Sequence, residues 1–151
     1  MLVKATTDWI LSHCKDDPVR PHLPLEWRVS KGREVYALLE DQYAEEAPPL
    51  MDGPRAIICV AYTNGVAITE EDLERTENAN TAMFYTVWSY DRGAGREIVL
   101  DTAKHIKNTR DDIYRFVTLS PLTEMAERFH LRNGAEFLRR GETCQNFEYI
   151  L

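Results

Sequence analysis

Three uninterrupted runs of apolar and β-branched residues dominate the hydrophobic pattern of the chain. They cover residues 55–63, 81–90 and 113–119, and each has the length of one strand. Because few charges interrupt them, these runs predict central strands buried on both faces of a sheet. Two shorter segments near the C-terminus, residues 136–139 and 147–151, predict strands that close the sheet.

Helical spacing of apolar residues appears between these strands. Residues 97–107 predict one helix, and the segment after Pro121 predicts a second helix that ends at the stop signal Asn133–Gly134. Ser120 and Pro121 suit the N-cap and the first position of that second helix.

The N-terminal third has weaker patterns. Residues 9–15 predict a short helix, and residues 26–30 and 34–39 predict two strands around a Lys–Gly turn at 31–32. Residues 44–53 are rich in proline and glycine and predict a loop. Interleaved strands and helices over 151 residues predict a single α/β (α+β) layer domain.

Composition and charge narrow the class of protein. The chain is 44% hydrophobic and 28% charged, which is typical of a soluble globular domain, and its net charge is −7. A net negative charge argues against a broad nucleic-acid or anionic-membrane surface, because both need clustered basic residues. A local basic pocket for a phosphorylated ligand stays compatible with it.

The cysteines and the apolar runs point to no metal centre and no membrane segment. Cys14, Cys59 and Cys144 are far apart and form no zinc spacing, so we expect inert thiols and no bound metal. No run approaches the length of a signal peptide or a membrane span. We therefore expect a cytoplasmic protein, and a homo-oligomer is compatible with the sequence.

A glycine-rich segment between a predicted strand and a predicted helix is the first candidate for chemistry. It consists of Arg92, Gly93, Ala94, Gly95 and Arg96. Such a loop can cradle a phosphate with backbone N–H groups at the positive end of the helix dipole. The Gly-x-Gly pattern alone equally suits an ordinary turn, and neither a Walker loop nor a Rossmann fingerprint is present.

Three further residues have an ordinary interpretation when each is taken alone. Ser120 suits a helix cap, His130 suits a core or solvated histidine, and Glu97 suits a first-turn acid favoured by the helix dipole. A hydroxyl and an imidazole on adjacent elements are also the groups of proton-transfer and nucleophilic chemistry. The glycine segment makes this second interpretation stronger.

The order strand, glycine loop, helix, strand and a helix ending before Gly134 resembles the acetyl-CoA-dependent N-acetyltransferase (GNAT) superfamily. The resemblance implies a single GNAT-like domain whose mixed central sheet has splayed central strands flanked by helices. It also implies a CoA pyrophosphate bound at residues 92–96. His130 occupies the position where this superfamily usually has a tyrosine that protonates the CoA thiolate.

The motifs are more similar to the catalytic domain of malonyl-CoA decarboxylase, which has the GNAT fold. The similarity covers roughly residues 54–151, and four segments carry it in order: residues 55–63, residues 82–97, Thr118-Leu119-Ser120-Pro121, and Arg128-Phe129-His130-Leu131 with Asn133-Gly134-Ala135. The ending Asn146-Phe147-Glu148-Tyr149 also resembles the family. The chain lacks the family's insertion between the serine and histidine motifs and its helical N-terminal domain.

Carried over by motif, the resemblance implies that Ser120 and His130 are catalytic, that Glu97 is an active-site glutamate and that Tyr149 lies near the site. It implies decarboxylation of malonyl-CoA, in which Ser120 holds the carboxylate or the thioester oxygen. His130, with a pKa near neutral, then donates a proton or stabilises the enolate. Residues 1–53 are expected to supply the substrate side of the cleft.

Two alternatives remain open. An acetyltransferase would move the acetyl group of acetyl-CoA to an amine and would need a general base, for which Tyr85, Tyr90 and Asp91 are candidates. A domain without catalysis would bind CoA or another protein. Ten residues of continuous helix would separate Ser120 from His130 by ~15 Å, so their direct contact requires the serine to fold back from the strand end or the helix to begin late.

Overall fold

The computed structural model describes residues 1–40 and 53–151. The predicted loop at 44–53 lies outside this part except for Gly53. Eight strands are described: β1 (Leu2–Lys4), β2 (Glu34–Leu38), β3 (Ala56–Thr63), β4 (Thr81–Ser89), β5 (Arg115–Thr118), β6 (Ser120–Pro121), β7 (Glu136–Arg140) and β8 (Cys144–Glu148). The helices are α1 (Asp8–Leu11), α2 (Leu25–Arg28), α3 (Ala94–Thr109) and α4 (Glu124–Arg132), with 3-10 segments at Ser12–Asp16 and Glu71–Glu74.

The strands form one mixed sheet, as the sequence predicts. Its order is β1-β2-β3-β4-β5-β8-β6, with β7 on the other side of β8. The pair β4–β5 is parallel and every other pair is antiparallel. The long helix α3 connects the two parallel strands, because a parallel pair needs a crossover of this kind.

The two parallel central strands separate after four paired positions. Pairing runs from Thr81 opposite Arg115 to Phe84 opposite Thr118, and β4 then continues to Ser89 without β5. The register between β3 and β4 shifts at the same place and leaves Tyr85 as an extra residue on β4. A bulge of this kind increases the local bend and twist of its strand. The end of β4 and the chain that follows β5 are therefore not paired with each other, and we call the space between them the cleft.

Each face of the sheet has its own hydrophobic core. On one face α3 packs Ile98, Val99 and Ile106 over the sheet together with Phe116 and Phe147. On the other face the N-terminal segment of residues 8–29 and the 3-10 turn near residue 73 cover the strands. For this reason β3 is buried at all eight positions, and β4 and β5 are buried over most of their length.

A buried ion pair fixes the N-terminal segment on its face. Asp17 Oδ2 lies 2.8 Å from Arg28 Nη1, and the side chains are 0% and 1% exposed. Asp17 Oδ1 also accepts the N–H groups of Val19 and Arg20 and the hydroxyl of Thr86 on β4. Burial alone would raise the pKa of Asp17, but these hydrogen bonds and Arg28 hold that pKa below its ordinary value.

Two local predictions are wrong. Residues 26–30 are not a strand, because Pro24 starts the single helical turn α2, which delivers Arg28 to Asp17. Ser120 is not a helix cap. It pairs with Gln145 in the sheet. The N-cap of α4 is Thr123, whose side-chain hydroxyl oxygen accepts the Ala126 N–H.

Other expectations agree with the structure or differ slightly. α3 begins three residues earlier than predicted, and the last strand is shifted toward Cys144. All three cysteines are free and buried. Within residues 1–40 and 53–151, no helix is long and apolar enough to cross a membrane.

Asp17→Asn should lower the free energy of unfolding by about 3–5 kcal/mol, because Arg28 then keeps a buried charge without its counter-ion. The matched control is Asp112→Asn, whose partner Arg110 lies 2.8 Å away at the surface. Loss of that exposed pair should cost less than about 1 kcal/mol. Urea denaturation followed by circular dichroism measures both, and equal losses would contradict the assignment.

Candidate functional site

The start of α3 forms one end of the cleft. Gly93 is the N-cap with φ +83°, a left-handed conformation that favours glycine. A Cβ on Gly95 would lie 3.3 Å from the Phe129 ring of α4, so this glycine permits close packing of the two helices. The backbone N–H groups of Gly95 and Arg96 have no acceptor in the described part of the chain, as expected for a first turn.

The two arginines of the glycine segment differ in their surroundings. Arg92 is exposed. Arg96 Nη1 donates to the Arg132 carbonyl oxygen at 3.1 Å and to Asn133 Oδ1 at 3.4 Å. Arg96 therefore ties the start of α3 to the end of α4 through Nη1, while the backbone N–H groups of this turn and the remaining guanidinium donors stay available to a phosphate.

His130 and Tyr149 form a buried pair beside this helix junction. His130 is 6% exposed, and its Nδ1 lies 2.7 Å from the Tyr149 hydroxyl oxygen. The imidazole stacks on Phe147 with 5.6 Å between ring centroids, and Phe129 packs against its edge. The ring is thereby fixed in position by α4 on one side and β8 on the other.

The protonation state of His130 differs from the expectation. Burial lowers the pKa of His130 to about 4, so the imidazole is neutral near pH 7. Burial raises the pKa of Tyr149, so its hydroxyl keeps its proton. A Tyr149 O–H that donates to Nδ1 makes Nδ1 the acceptor, so the single N–H of the neutral imidazole lies on Nε2. The site thus presents a neutral hydrogen-bond donor, not an imidazolium acid.

Ser120 stands on the same face of the sheet as this pair. Its hydroxyl oxygen lies 2.8 Å from that of Thr118, which in turn accepts the Phe147 N–H at 3.1 Å. Alternation along the strand puts Thr118 and Ser120 on the face of Phe116, where Phe147 also packs. Ser120 and His130 share no hydrogen bond within residues 1–40 and 53–151, and they are linked instead through the contacts of Thr118 and Phe147.

Glu97 lies apart from the serine and the histidine. Its Oε1 pairs with Arg55 Nη1 at 3.2 Å, and the carboxylate is 43% exposed. Arg55 also pairs with Asp91 at 3.2 Å. Glu97 therefore sits on the rim of the helix start, and its active-site role stays a prediction.

The three candidates for a general base are poorly suited to that role. Tyr85 is buried, and burial raises its pKa well above the ordinary value. Burial also raises the pKa of Tyr90, whose hydroxyl donates to Asp16 at 2.8 Å. Asp91 is exposed and paired with Arg55. The part of the chain that the structure describes contains no cluster of potential metal ligands.

Sequence reasoning missed Arg20, which reaches the closed end of the cleft. Its guanidinium donates to the carbonyl oxygens of Tyr85 and Leu119, on the two separating strands. The only sequence signal was its place in the irregular Asp17-Pro18-Val19-Arg20 segment, which has no periodicity to interpret. Its partners Tyr85 and Leu119 lie 65 and 99 positions further along the chain, so only the fold brings them close to Arg20.

Comparison with known proteins assigns the topology. A malonyl-CoA decarboxylase from Rhodopseudomonas palustris aligns with a TM-score of 0.74 and 19% identity, over 100% of this chain and 60% of that chain. One from Agrobacterium vitis gives 0.64 and 23%, over 85% and 35%. A GNAT-family acetyltransferase from Listeria monocytogenes gives 0.58 and 10%, over 84% and 69%. The chain has the GNAT fold.

The GNAT fold confirms the architecture that the motifs implied. No family model matches the chain, and no curated protein sequence matches it, so the assignment rests on structural similarity. The chain spans 35% and 60% of the two decarboxylase chains. At these identities the shared property is the GNAT fold itself.

Stability should fall between pH 6.5 and pH 4, because the unfolded chain protonates this histidine while the fold keeps it neutral. The histidine pKa is 6.5 in the unfolded chain and about 4 in the fold, so its contribution is complete above pH 6.5 and is lost as the pH falls through 4. The loss amounts to about 3 kcal/mol. His130→Phe should remove this part of the pH dependence between pH 7 and pH 4.

Urea unfolding of the unchanged protein and of His130→Phe from pH 7 to pH 4 measures the difference between their free energies of unfolding. The titration of the carboxylates is common to both proteins and cancels in this difference. His105→Phe, an exposed histidine on α3, is the matched control and should behave like the unchanged protein. A difference between the unchanged protein and His130→Phe that is constant with pH would contradict a neutral buried imidazole.

Proposed function

We propose that the chain binds an acyl-CoA thioester in the cleft between β4 and β5 and decarboxylates malonyl-CoA to acetyl-CoA and CO2. The observation that carries the proposal is the buried, neutral His130, held by Tyr149 on the face where Ser120 also lies. The structural similarity to malonyl-CoA decarboxylases supports it.

The position of CoA follows from the two ends of the cleft. The free N–H groups of Gly95 and Arg96 at the start of α3 suit the pyrophosphate, because a helix N-terminus favours anions. From Ser89 back to Tyr85, β4 spans about 13 Å, which is comparable to an extended pantetheine arm. The thioester then lies near the closed end of the cleft, where β4 and β5 separate.

The chemistry requires a donor for developing negative charge. Loss of CO2 leaves the electron pair of the broken bond on the thioester as an enolate, and a preorganised donor stabilises it. In our proposal Nε2–H of His130 and the Ser120 hydroxyl both donate to the enolate oxygen. A neutral imidazole suits this role, because it can donate without carrying a charge that burial would disfavour. A proton taken up from water then forms the new C–H bond and completes acetyl-CoA.

The division of the chain follows the same proposal. Residues 54–151 would hold CoA and the reacting groups, and residues 1–53 would contribute the opposite wall of the cleft. Glu97, on the rim of the helix start, would act on the cofactor end rather than on the acyl group. We place the protein in the cytoplasm, where CoA thioesters are available.

Acetyl transfer to an amine is the second candidate, and one contact favours it. Glu70 lies at the closed end of the cleft, 3.0 Å from Arg20 Nη1 and 2.9 Å from His22 Nε2. A half-exposed carboxylate there could accept the proton of an incoming amine. This candidate predicts consumption of acetyl-CoA only when an amine is present, and no conversion of malonyl-CoA.

Purified protein should convert malonyl-CoA to acetyl-CoA, followed by mass spectrometry. His130→Phe should lower the rate at least about 100-fold, and Ser120→Ala by a comparable factor, because each removes a donor to the transition state. His105→Ala, a histidine exposed on α3, should stay within about twofold.

Each outcome separates the candidates. Conversion that survives His130→Phe would refute the proposed site. Absence of conversion together with amine-dependent loss of acetyl-CoA would establish the transferase instead. If neither reaction occurs, a thermal-shift titration with CoA distinguishes a binding domain from one that takes no CoA, because a ligand raises the unfolding temperature by mass action.

A further inference from the structure

Arg20 lies where the two central strands separate. Its Nε donates to the Tyr85 carbonyl oxygen at 2.9 Å, and its Nη2 donates to the Leu119 carbonyl oxygen at 2.8 Å. The last backbone bond between the strands joins the Leu119 N–H to the Phe84 oxygen at 2.9 Å. The guanidinium therefore bridges the two strands one position beyond this last backbone hydrogen bond and forms the closed end of the cleft.

The two carbonyl oxygens accept hydrogen bonds from Arg20 but do not neutralise its charge. The side chain is only 8% exposed, and a cation so far from water needs an anion beside it. Glu70 is that anion, with Oε1 3.0 Å from Nη1. Asp17, the buried carboxylate nearest in sequence, is already paired with Arg28. Among the described residues, Glu70 is thus the carboxylate that balances the charge of Arg20.

Glu70 is placed to give way to another anion. It is 31% exposed and precedes a single 3-10 turn rather than a long helix or a strand. Its second oxygen lies 2.9 Å from His22 Nε2, so Glu70 keeps a partner when it leaves Arg20. By contrast, Tyr85 and Leu119 are buried and hold the other edge of the guanidinium in place.

We propose that Arg20 is the specificity-determining residue of the cleft: it binds a free carboxylate at the acyl end of the thioester, and Glu70 pairs with Arg20 until that carboxylate replaces it. The inference rests on the proposed function, because it needs CoA bound along β4. Ser120 directly follows Leu119, so Arg20 and Ser120 reach the closed end from opposite faces of the sheet. Acyl thioesters that end in a carboxylate are the class selected.

A pair of ligands that differ mainly in the carboxylate provides the test. Malonyl-CoA and acetoacetyl-CoA have similar size, but the second has a methyl ketone in place of the carboxylate. Stopped-flow tryptophan fluorescence reads binding within milliseconds, before turnover. The unchanged protein should bind malonyl-CoA about tenfold more tightly, which is the value of one charge-assisted hydrogen bond in a buried site.

Variants at both partners give opposite changes. Arg20→Met should abolish the preference while acetoacetyl-CoA binds as before. Glu70→Gln should tighten malonyl-CoA binding severalfold and leave acetoacetyl-CoA unchanged, because the competing carboxylate is gone. Glu71→Gln removes the same charge from an exposed neighbouring position and should change neither affinity. A merely structural role of Arg20 would alter both ligands alike.

Three results would overturn the inference. Equal affinity of the unchanged protein for the two ligands refutes the carboxylate site while CoA binding, and so the proposed function, stands. If Arg20→Met does not fold, the Glu70→Gln variant provides the test. If this variant has the same ratio of malonyl-CoA to acetoacetyl-CoA affinity as the unchanged protein, the ligand carboxylate does not replace Glu70 at Arg20. Failure of CoA and both thioesters to bind refutes the proposed function together with the inference.

Discussion

The structure depends on the way two parallel strands are allowed to separate in the middle of a sheet. Beyond Phe84 and Leu119, β4 and β5 no longer satisfy each other's backbone groups, and buried carbonyl oxygens without donors would be costly. Arg20 supplies the donors from a side chain. The cleft therefore needs the N-terminal segment, since within residues 1–40 and 53–151 it is this segment that brings a buried cation to the point of separation.

The same requirement explains the buried ion pair behind Arg20. Asp17 accepts the Arg20 N–H, and Arg28 donates to the Arg20 carbonyl oxygen at 2.8 Å while pairing with Asp17. A buried ion pair is weak support for stability in general. Here the pair holds the backbone of Arg20, the residue that closes the cleft, in a fixed position. Its role is therefore to position Arg20. The charges of Asp17 and Arg28 balance each other. Arg20 pairs instead with Glu70, which is partly exposed at the surface.

The sequence predicted those parts of the molecule whose signals are local. Residues 55–63, 81–90 and 113–119 were recognisable as strands because their runs are continuous, and the glycine segment marked the start of α3. Ser120 was misassigned because a serine before proline suits a cap, whereas its place is decided by pairing with Gln145 in β8. Arg20 and the pKa of His130 depend on burial and on partners distant in sequence, which periodicity does not encode.

The cleft joins two electrostatic environments that no single element could provide. On the α4 face, packing against Phe147 and Phe129 keeps His130 neutral and oriented. On the opposite face, two backbone carbonyls and the partly exposed carboxylate of Glu70 surround the Arg20 cation in a nearly dry place. A neutral donor suits charge that appears during reaction, and a fixed cation suits charge that the ligand brings with it. If both groups serve one ligand, recognition and chemistry are divided between the two faces of the sheet, and each can vary without disturbing the core of the other.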